Sequence, residues 1–127
     1  MSKIPTDLRF AASHEWARPE ADGTVTVGIT DHVQRDLGTI RYVDPGWMGQ
    51  VLARGDIAGL VESGDAVLDI HAPVGGEVVA VNGALAECPE LVNTDPYGAW
   101  ILRLRPSDHA ELDALLDAAG YRDAVYG

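Results

Sequence analysis

The stretch GLVESGDAVLDIHAPVGGEVVAVN, residues 59–82, contains the clearest hairpin pattern of this chain. It predicts two short strands that meet at a Gly64-Asp65 turn, and a third strand that follows Pro73 and two glycines. A glycine at the first central position suits a type II′ turn, and an aspartate is well tolerated at the second. The hairpin is therefore expected to present one acidic side chain, Asp65, to solvent.

Turn residues recur at short intervals along the rest of the chain, which favours a sandwich or barrel of short strands over a fold of alternating strands and helices. Residues 9–11 and 15–18 predict a first hairpin. Val25 and Val27 alternate with threonine and glycine, a pattern typical of a half-buried strand.

A brief helix is predicted next, with Thr30 as its N-cap and Gly38 at its end. In the strand that follows, Ile40 and Tyr42 are expected on one face and Arg41 and Val43 on the other. Further strands are predicted in residues 50–56 and 99–106, with turns and a short helix in residues 84–98.

The C-terminal segment, residues 107–126, predicts a helix. Asp108 and Glu111 resemble a capping box, three leucines form an apolar stripe, and Gly120 is expected to end the helix. Residues 1–7 are predicted to be flexible, and residues 1–127 to form a single domain.

Composition limits the function classes. The formal net charge is −11, which argues against binding nucleic acid or anionic membranes and favours solubility or basic protein partners. Cys88 is the single cysteine, so no internal disulfide forms and a cytoplasmic location is expected. No apolar run has the length of a signal peptide or a membrane span.

Three segments together carry a family resemblance: residues 13–38, which begin SHEWARPEADG, residues 58–85 with the hairpin, and residues 88–108. In order and spacing they resemble the glycine cleavage system H protein family, from about Leu8 to the C-terminal helix. The resemblance implies a mostly β fold, a lipoyl-domain-type β-sandwich (barrel-sandwich hybrid) with short helices and a C-terminal helix. It also implies a carrier and not an enzyme.

In that family a hairpin lysine holds a lipoyl group, which visits a pyridoxal-phosphate decarboxylase, an aminomethyltransferase and a dihydrolipoyl dehydrogenase. The family motif runs Glu-Ser-Val-Lys-Ala, and the matching positions here are Glu62, Ser63, Gly64, Asp65 and Ala66. The lysine position thus holds Asp65. Lipoyl and biotin are both attached to an amine, which a carboxylate cannot replace. Because the chain's one lysine is Lys3, far from the hairpin, no cofactor is predicted.

A protein interface is one interpretation of Trp47, Met48 and Leu68. If the loop that holds Trp47 and Met48 lies beside the hairpin, the three side chains form an exposed apolar patch. The alternative, that Trp47 and Leu68 fold into the core, is equally open.

His14 and Glu15 match the family segment that helps to line the cleft where the loaded arm rests, so they are candidates for binding a small polar molecule. The interpretation favoured here is that both are surface strand residues with local hydrogen bonds. Asp69 and His71 lie two apart on one strand and share a face. The histidine spacing is not that of a zinc site, so no metal is predicted.

Cys88 precedes Pro89 near a predicted helix start, where a helix dipole lowers a thiol pKa and suits a substitute carrier. An inert buried cysteine is the favoured interpretation. The leading hypothesis is a monomeric, non-lipoylated interaction module that docks on glycine cleavage enzymes or other enzymes that recognise H proteins. The alternatives are a repurposed carrier or small-ligand-binding protein that uses Cys88 or the His14/Glu15 cleft, or an accessory subunit in a specialised biosynthetic pathway.

Overall fold

The computed structural model describes residues 4–126, and these form nine β-strands, four short α-helices and one 3₁₀-helix. In chain order the elements are β1 (Arg9–Phe10), β2 (Glu15–Pro19), β3 (Val25–Ile29), α1 (Asp31–Leu37), β4 (Ile40–Asp44), β5 (Val51–Leu52), β6 (Ile57–Ser63), β7 (Val67–His71), β8 (Gly76–Val81), α2 (Ala84–Glu87), α3 (Leu91–Thr94), β9 (Leu102–Pro106), the 3₁₀-helix (His109–Ala114) and α4 (Ala118–Tyr126).

The strands form two antiparallel sheets, with the main hydrophobic core made of residues from both. The larger sheet has six strands in the order β1-β2-β3-β9-β8-β5, and the smaller has three in the order β4-β6-β7. The predicted class, a mostly β sandwich with short helices and a C-terminal helix, is confirmed. The predicted caps of α1 are also present, since Thr30 Oγ1 accepts from the N–H of Val33 and Gly38 ends the helix.

Strand β3 differs from its sequence pattern, because it is buried on both faces and not on one. Val25 and Val27 face the main core, and Thr26 on the opposite face is buried as well. The Thr26 hydroxyl donates to Glu20 Oε2 at 2.6 Å and accepts from Arg103 Nε at 3.0 Å. A buried hydroxyl is tolerated when both of its roles are satisfied in this way.

Strand β4 also departs from simple alternation. A bulge in its pairing with β6, between Ile40 and Tyr42, shifts the side-chain pattern by one residue. Ile40 and Val43 are therefore both buried, whereas Tyr42 is half exposed. The prediction that Ile40 and Tyr42 share a face is wrong for this reason.

A second apolar cluster lies at the β1 end of the large sheet and includes the helix α4. Gly28 lies opposite Trp16 on the neighbouring strand, where any Cβ atom would overlap the indole ring. The Trp16 indole N–H donates to the carbonyl of Pro96 at 3.0 Å. The members of this cluster are Ile4, Leu8, Phe10, Trp16, Ala118 and Tyr121. Residues 1–7 were predicted to be flexible, but Ile4 is buried in this cluster. Residues 1–3 lie outside the described part of the chain.

The C-terminal segment forms two helices and not the single helix predicted. Glu111 does not complete a capping box, because its Oε1 accepts from the N–H of Gly75 at 2.8 Å. An extended step follows, in which Leu116 and Phe10 exchange two backbone hydrogen bonds, and this bridge interrupts the helix. Gly120 then lies inside α4 and does not end it. No helix within residues 4–126 is long and apolar enough to cross a membrane.

Candidate functional site

The hairpin of β6 and β7 forms as predicted, with Ser63 to Ala66 as its tip. The N–H of Ser63 donates to the carbonyl of Ala66 at 2.9 Å, and Ser63 Oγ accepts from the N–H of Ala66 at 3.2 Å. Gly64 is not in the left-handed region, so the type II′ turn predicted for it is wrong. The serine side chain holds the turn in place of a glycine with positive φ.

Asp65 lies at the exposed tip, as predicted. Its neighbour Gly64 faces Arg41 of β4, since a Cβ atom built on Gly64 would lie 3.5 Å from Arg41 Nε. The tip therefore offers solvent a carboxylate, with a guanidinium group beside the turn.

The outer face of the small sheet extends from the tip and mixes apolar with acidic side chains. Cross-strand pairing aligns Tyr42, Glu62 and Val67 in one row, and Asp44, Leu60 and Asp69 in the next. Tyr42 and Val67 are 50% and 59% exposed, and they lie on either side of Glu62 in one row. Sequence reasoning missed this surface, because the bulge in β4 has no sequence signal that reveals it.

The predicted patch of Trp47, Met48 and Leu68 is split by the structure. Trp47 and Met48 are 65% and 62% exposed, but Leu68 packs against the main core. The loop that holds Trp47 and Met48 begins after Asp44, whose partner on β6 is Leu60. The hairpin tip begins at Ser63, at the opposite end of the β4–β6 pairing. At roughly 3.3 Å per residue, about 10 Å of strand separates the loop from the tip.

Glu15 and His71 meet at the base of the hairpin. Glu15 is fully buried, and its Oε2 accepts from the backbone N–H of His71 at 2.9 Å, while the Ser13 hydroxyl donates to its Oε1. Burial raises the pKa of the Glu15 carboxyl, although both hydrogen bonds oppose the change. The expectation that Glu15 is a surface residue is wrong, because the chain folds the hairpin base over it.

His14 points away from this pair and contacts the C-terminal helix. Its backbone has φ of 78°, and its Nδ1 lies 2.8 Å from the hydroxyl of Tyr121. Burial, reinforced by the nearby His32, lowers the pKa of His14. The structure thus joins Glu15 with His71 and places His14 in a different cluster. Asp69 is exposed on the outer face.

A cleft of about 400 Å³ opens beside the Glu15–His71 pair. Residues 10–13, Arg54 and His71 line it, together with Ala114, Leu115 and Leu116. The His71 Nδ1 atom is buried without a hydrogen-bond partner and lies 3.6 Å from Glu15 Oε2. Since this nitrogen is shielded from solvent beside Glu15, other atoms of His71 line the cleft.

Cys88 and the histidines lend no support to thiol or metal chemistry. Cys88 is exposed and not buried, and it caps the C-terminal end of α2, where the helix dipole does not favour a thiolate. Within residues 4–126 no group of three or more histidine, cysteine, aspartate or glutamate residues is arranged to hold a metal ion.

Comparison with known proteins identifies the family of this chain. The family described as glycine cleavage H-protein matches residues 8–126. The chain belongs to the glycine cleavage H-protein family. It is 62% identical over 125 residues to glycine cleavage system H protein 2 of Pseudomonas putida, with 98% of each chain covered. It is 53% identical over 126 residues to the glycine cleavage system H protein of Shewanella denitrificans, again with 98% of each covered.

A solved structure agrees with these relatives. The crystal structure of a glycine cleavage system H protein from Mycobacterium marinum has a TM-score of 0.85 and 37% sequence identity, covering 94% of this chain and 97% of that one. The H-protein family consists of carriers, so the prediction that the chain is not an enzyme is confirmed.

The prediction that the chain has no cofactor is wrong in the light of its family. Glycine cleavage H proteins carry a lipoyl group, and this chain matches them over nearly its whole length. The lipoyl group is therefore the cofactor that the family implies.

The side chains at the hairpin tip do not fit this group at the usual position. An amide-linked lipoyl group needs an amine, and the tip holds the exposed carboxylate of Asp65 with Ser63, Gly64 and Ala66 around it. Glu62, the remaining motif position, lies on the outer face. The side chains at the tip therefore supply no amine for the lipoyl amide, and no transfer step is derived through Asp65.

Proposed function

We propose that this member of the H-protein family acts as an accessory interaction protein, which docks on enzymes that recognise H proteins and presents Asp65 where the family presents a lysine. The observation that carries the proposal is the outer face of the small sheet. There the half-exposed Tyr42 and Val67 flank Glu62 beside the tip.

The chemistry of this face defines the partner. Exposed apolar side chains give the desolvated centre that protein interfaces need, and the carboxylates around them select a basic surface. Asp44, Glu62, Asp65 and Asp69 all lie on this face or at its tip. A net charge of −11 adds long-range attraction to such a partner. A cytoplasmic location and a monomeric state remain predictions.

A competition assay tests the proposal. The purified chain is added to a reconstituted glycine cleavage reaction driven by a lipoylated H protein, and binding to each of the three enzymes is measured by calorimetry. We expect direct binding to at least one enzyme, and inhibition that weakens as salt rises. Binding to none of them would contradict the proposal.

A charge-reversal pair shows which surface is responsible. Glu62→Lys combined with Asp69→Lys should abolish the inhibition, because it replaces two carboxylates on the outer face. Asp113→Lys combined with Asp123→Lys is the matched control, since both residues are exposed on C-terminal helices, outside the small sheet. Equal loss of inhibition in both variants would show a net-charge effect and not a docking face.

A second candidate function, binding of a small polar ligand, is favoured by the cleft that Ser13 and His71 line beside the buried carboxyl group of Glu15. Backbone amide shifts of Ser13 and His71 during titration with small amines and small carboxylates test it.

A further inference from the structure

The last residues of the chain form a wall of the cleft. We call residues 115–126 the C-terminal strap. Phe10 and Leu116 exchange backbone hydrogen bonds of 2.8 and 2.9 Å, and the rings of Phe10 and Tyr121 stack with centroids 4.7 Å apart. Leu115 and Leu116 line the cleft on this side. Movement of the strap away from Phe10 would therefore widen the cleft.

One buried hydroxyl fastens the strap to the rest of the protein. The Tyr121 hydroxyl lies 2.8 Å from His14 Nδ1 and 2.8 Å from Thr30 Oγ1. Burial raises the pKa of Tyr121 to about 12, so the phenol stays neutral and keeps its proton for a hydrogen bond. Depending on the tautomer of a neutral His14, its Nδ1 accepts from the phenol or donates to it, and the Thr30 hydroxyl takes the complementary role.

A second histidine lies against the first. The rings of His14 and His32 have centroids 5.2 Å apart, and His32 in turn meets the ring of Tyr126 edge-on at 6.1 Å. Tyr121 and Tyr126 of α4 thus each contact a histidine. Protonation of both rings would place two positive charges close together at a partly buried site, which is unfavourable.

The other ionisable groups around the pair set the balance of charge. Asp36 is the nearest anion, with its Oδ2 3.5 Å from His32 Nε2, and it is largely exposed, so water screens its attraction. Tyr121 and Tyr126 of α4 face the two histidines. Tyr97 and Glu15 contribute to the raised pKa of Tyr121. Burial and His32 together outweigh Asp36 at His14, whose pKa is lowered.

We propose that the C-terminal strap is a pH-sensitive wall of the cleft, docked when His14 is neutral and released when the His14 ring, which lies against His32, takes up a proton. A histidine whose pKa is lowered in the folded protein stabilises the folded state while it is neutral. This stabilisation is lost as pH falls through the ordinary histidine range. This device is independent of the partner proposed above, since it depends only on contacts within the chain.

Hydrogen exchange of single amides tests the proposal in the full chain. The amides of Leu116 and Tyr121, which donate to the carbonyls of Phe10 and Asp117, report on the strap, and the Ile101 amide, which donates to Val27, reports on the core. After correction for intrinsic rates, strap protection should fall about ten-fold between about pH 7.5 and about pH 5.5. Protection at Ile101 should stay unchanged.

Two variants assign the effect to the histidines. His14→Asn keeps a residue type that tolerates positive φ, and His32→Gln removes the ring that lies against His14. His14→Asn should make strap protection independent of pH. His32→Gln should reduce the pH dependence, because His32 contributes to the lowered pKa of His14. His109→Gln is the matched control, because His109 bonds the carbonyl of Gly23 away from the strap, and it should retain the pH dependence.

Three results would overturn the proposal: strap protection that does not change with pH, a loss of protection shared equally by Ile101, or an unchanged pH dependence in His32→Gln. The last variant decides the matter even if His14→Asn does not fold.

Discussion

The backbone N–H of His71 donates a 2.9 Å hydrogen bond to the fully buried carboxyl group of Glu15, which ties the base of the hairpin to the second strand. The two residues are 56 positions apart in the chain. A hydrogen-bonded carboxyl group with a raised pKa at a cleft is the kind of group that often marks a binding site. Four predictions test the site and its surroundings.

The first prediction concerns Glu15→Gln. Because burial raises the folded pKa of Glu15, its contribution to stability is present at low pH and is lost as pH rises through the folded pKa. The amide does not titrate and keeps an oxygen for the His71 N–H. The variant should therefore gain stability relative to the wild type between about pH 4 and about pH 7, as measured by urea unfolding.

Glu20→Gln is the control with the opposite sign. A hydrogen bond from Thr26, with Arg18 nearby, lowers the pKa of Glu20, so its contribution is present above the unfolded pKa and lost as pH falls. The Glu20 variant should lose stability relative to the wild type as pH rises toward about pH 5, and the difference should stay constant above that pH. Parallel difference curves for the two variants would refute the assignment for Glu15.

The second prediction concerns Asp65→Lys. The substitution places a primary amine at the exposed tip of a turn that Ser63 holds, so the turn should persist. We expect a lipoyl ligase to acylate the new lysine, with an unfolding free energy within about 0.5 kcal/mol of the wild type. Peptide mass mapping locates the modification. Asp69→Lys places an amine away from the tip and should stay unmodified; acylation of both would show that the tip geometry has no role.

The third prediction compares two tryptophans. Trp47 is 65% exposed and Trp16 is fully buried, so Trp47→Ala should change the unfolding free energy by less than about 0.5 kcal/mol, while Trp16→Ala should cost about 3–5 kcal/mol. Urea unfolding measures both. A large loss for Trp47→Ala would mean that the loop packs on the core and offers no surface to a partner.

The fourth prediction compares two glycines of the hairpin. Gly64→Ala should be tolerated within about 0.5 kcal/mol, since Gly64 does not need positive φ and its Cβ atom would meet Arg41 at an ordinary 3.5 Å. Gly59→Ala should cost about 2 kcal/mol or more, because its Cβ atom would overlap the carbonyl oxygen of Asp44 on β4. If the two losses in thermal unfolding are equal, the turn does require a glycine.

The hairpin could be predicted from the sequence because its signals are local. Strand residues on both sides of a turn, a serine before it and an aspartate in it lie within a few positions of one another, and so do the caps of α1 at Thr30 and Gly38. The absence of lysine at the tip is a fact of the sequence itself. The turn type was missed, because Gly64 only permits positive φ and the Ser63 side chain satisfies the turn without it.

The positions of most strands along the chain, the place of the hairpin and the charge at its tip could be predicted from local sequence, because each depends on neighbours in the chain. The tertiary structure alone decided that β3 is covered on both faces, that a bulge exposes Tyr42, that Glu15 lies beneath His71, and that Tyr121 bonds a histidine 107 positions away. Burial and hydrogen-bond partners depend on what packs across a strand or helix, and periodicity within one segment carries no information about that neighbour.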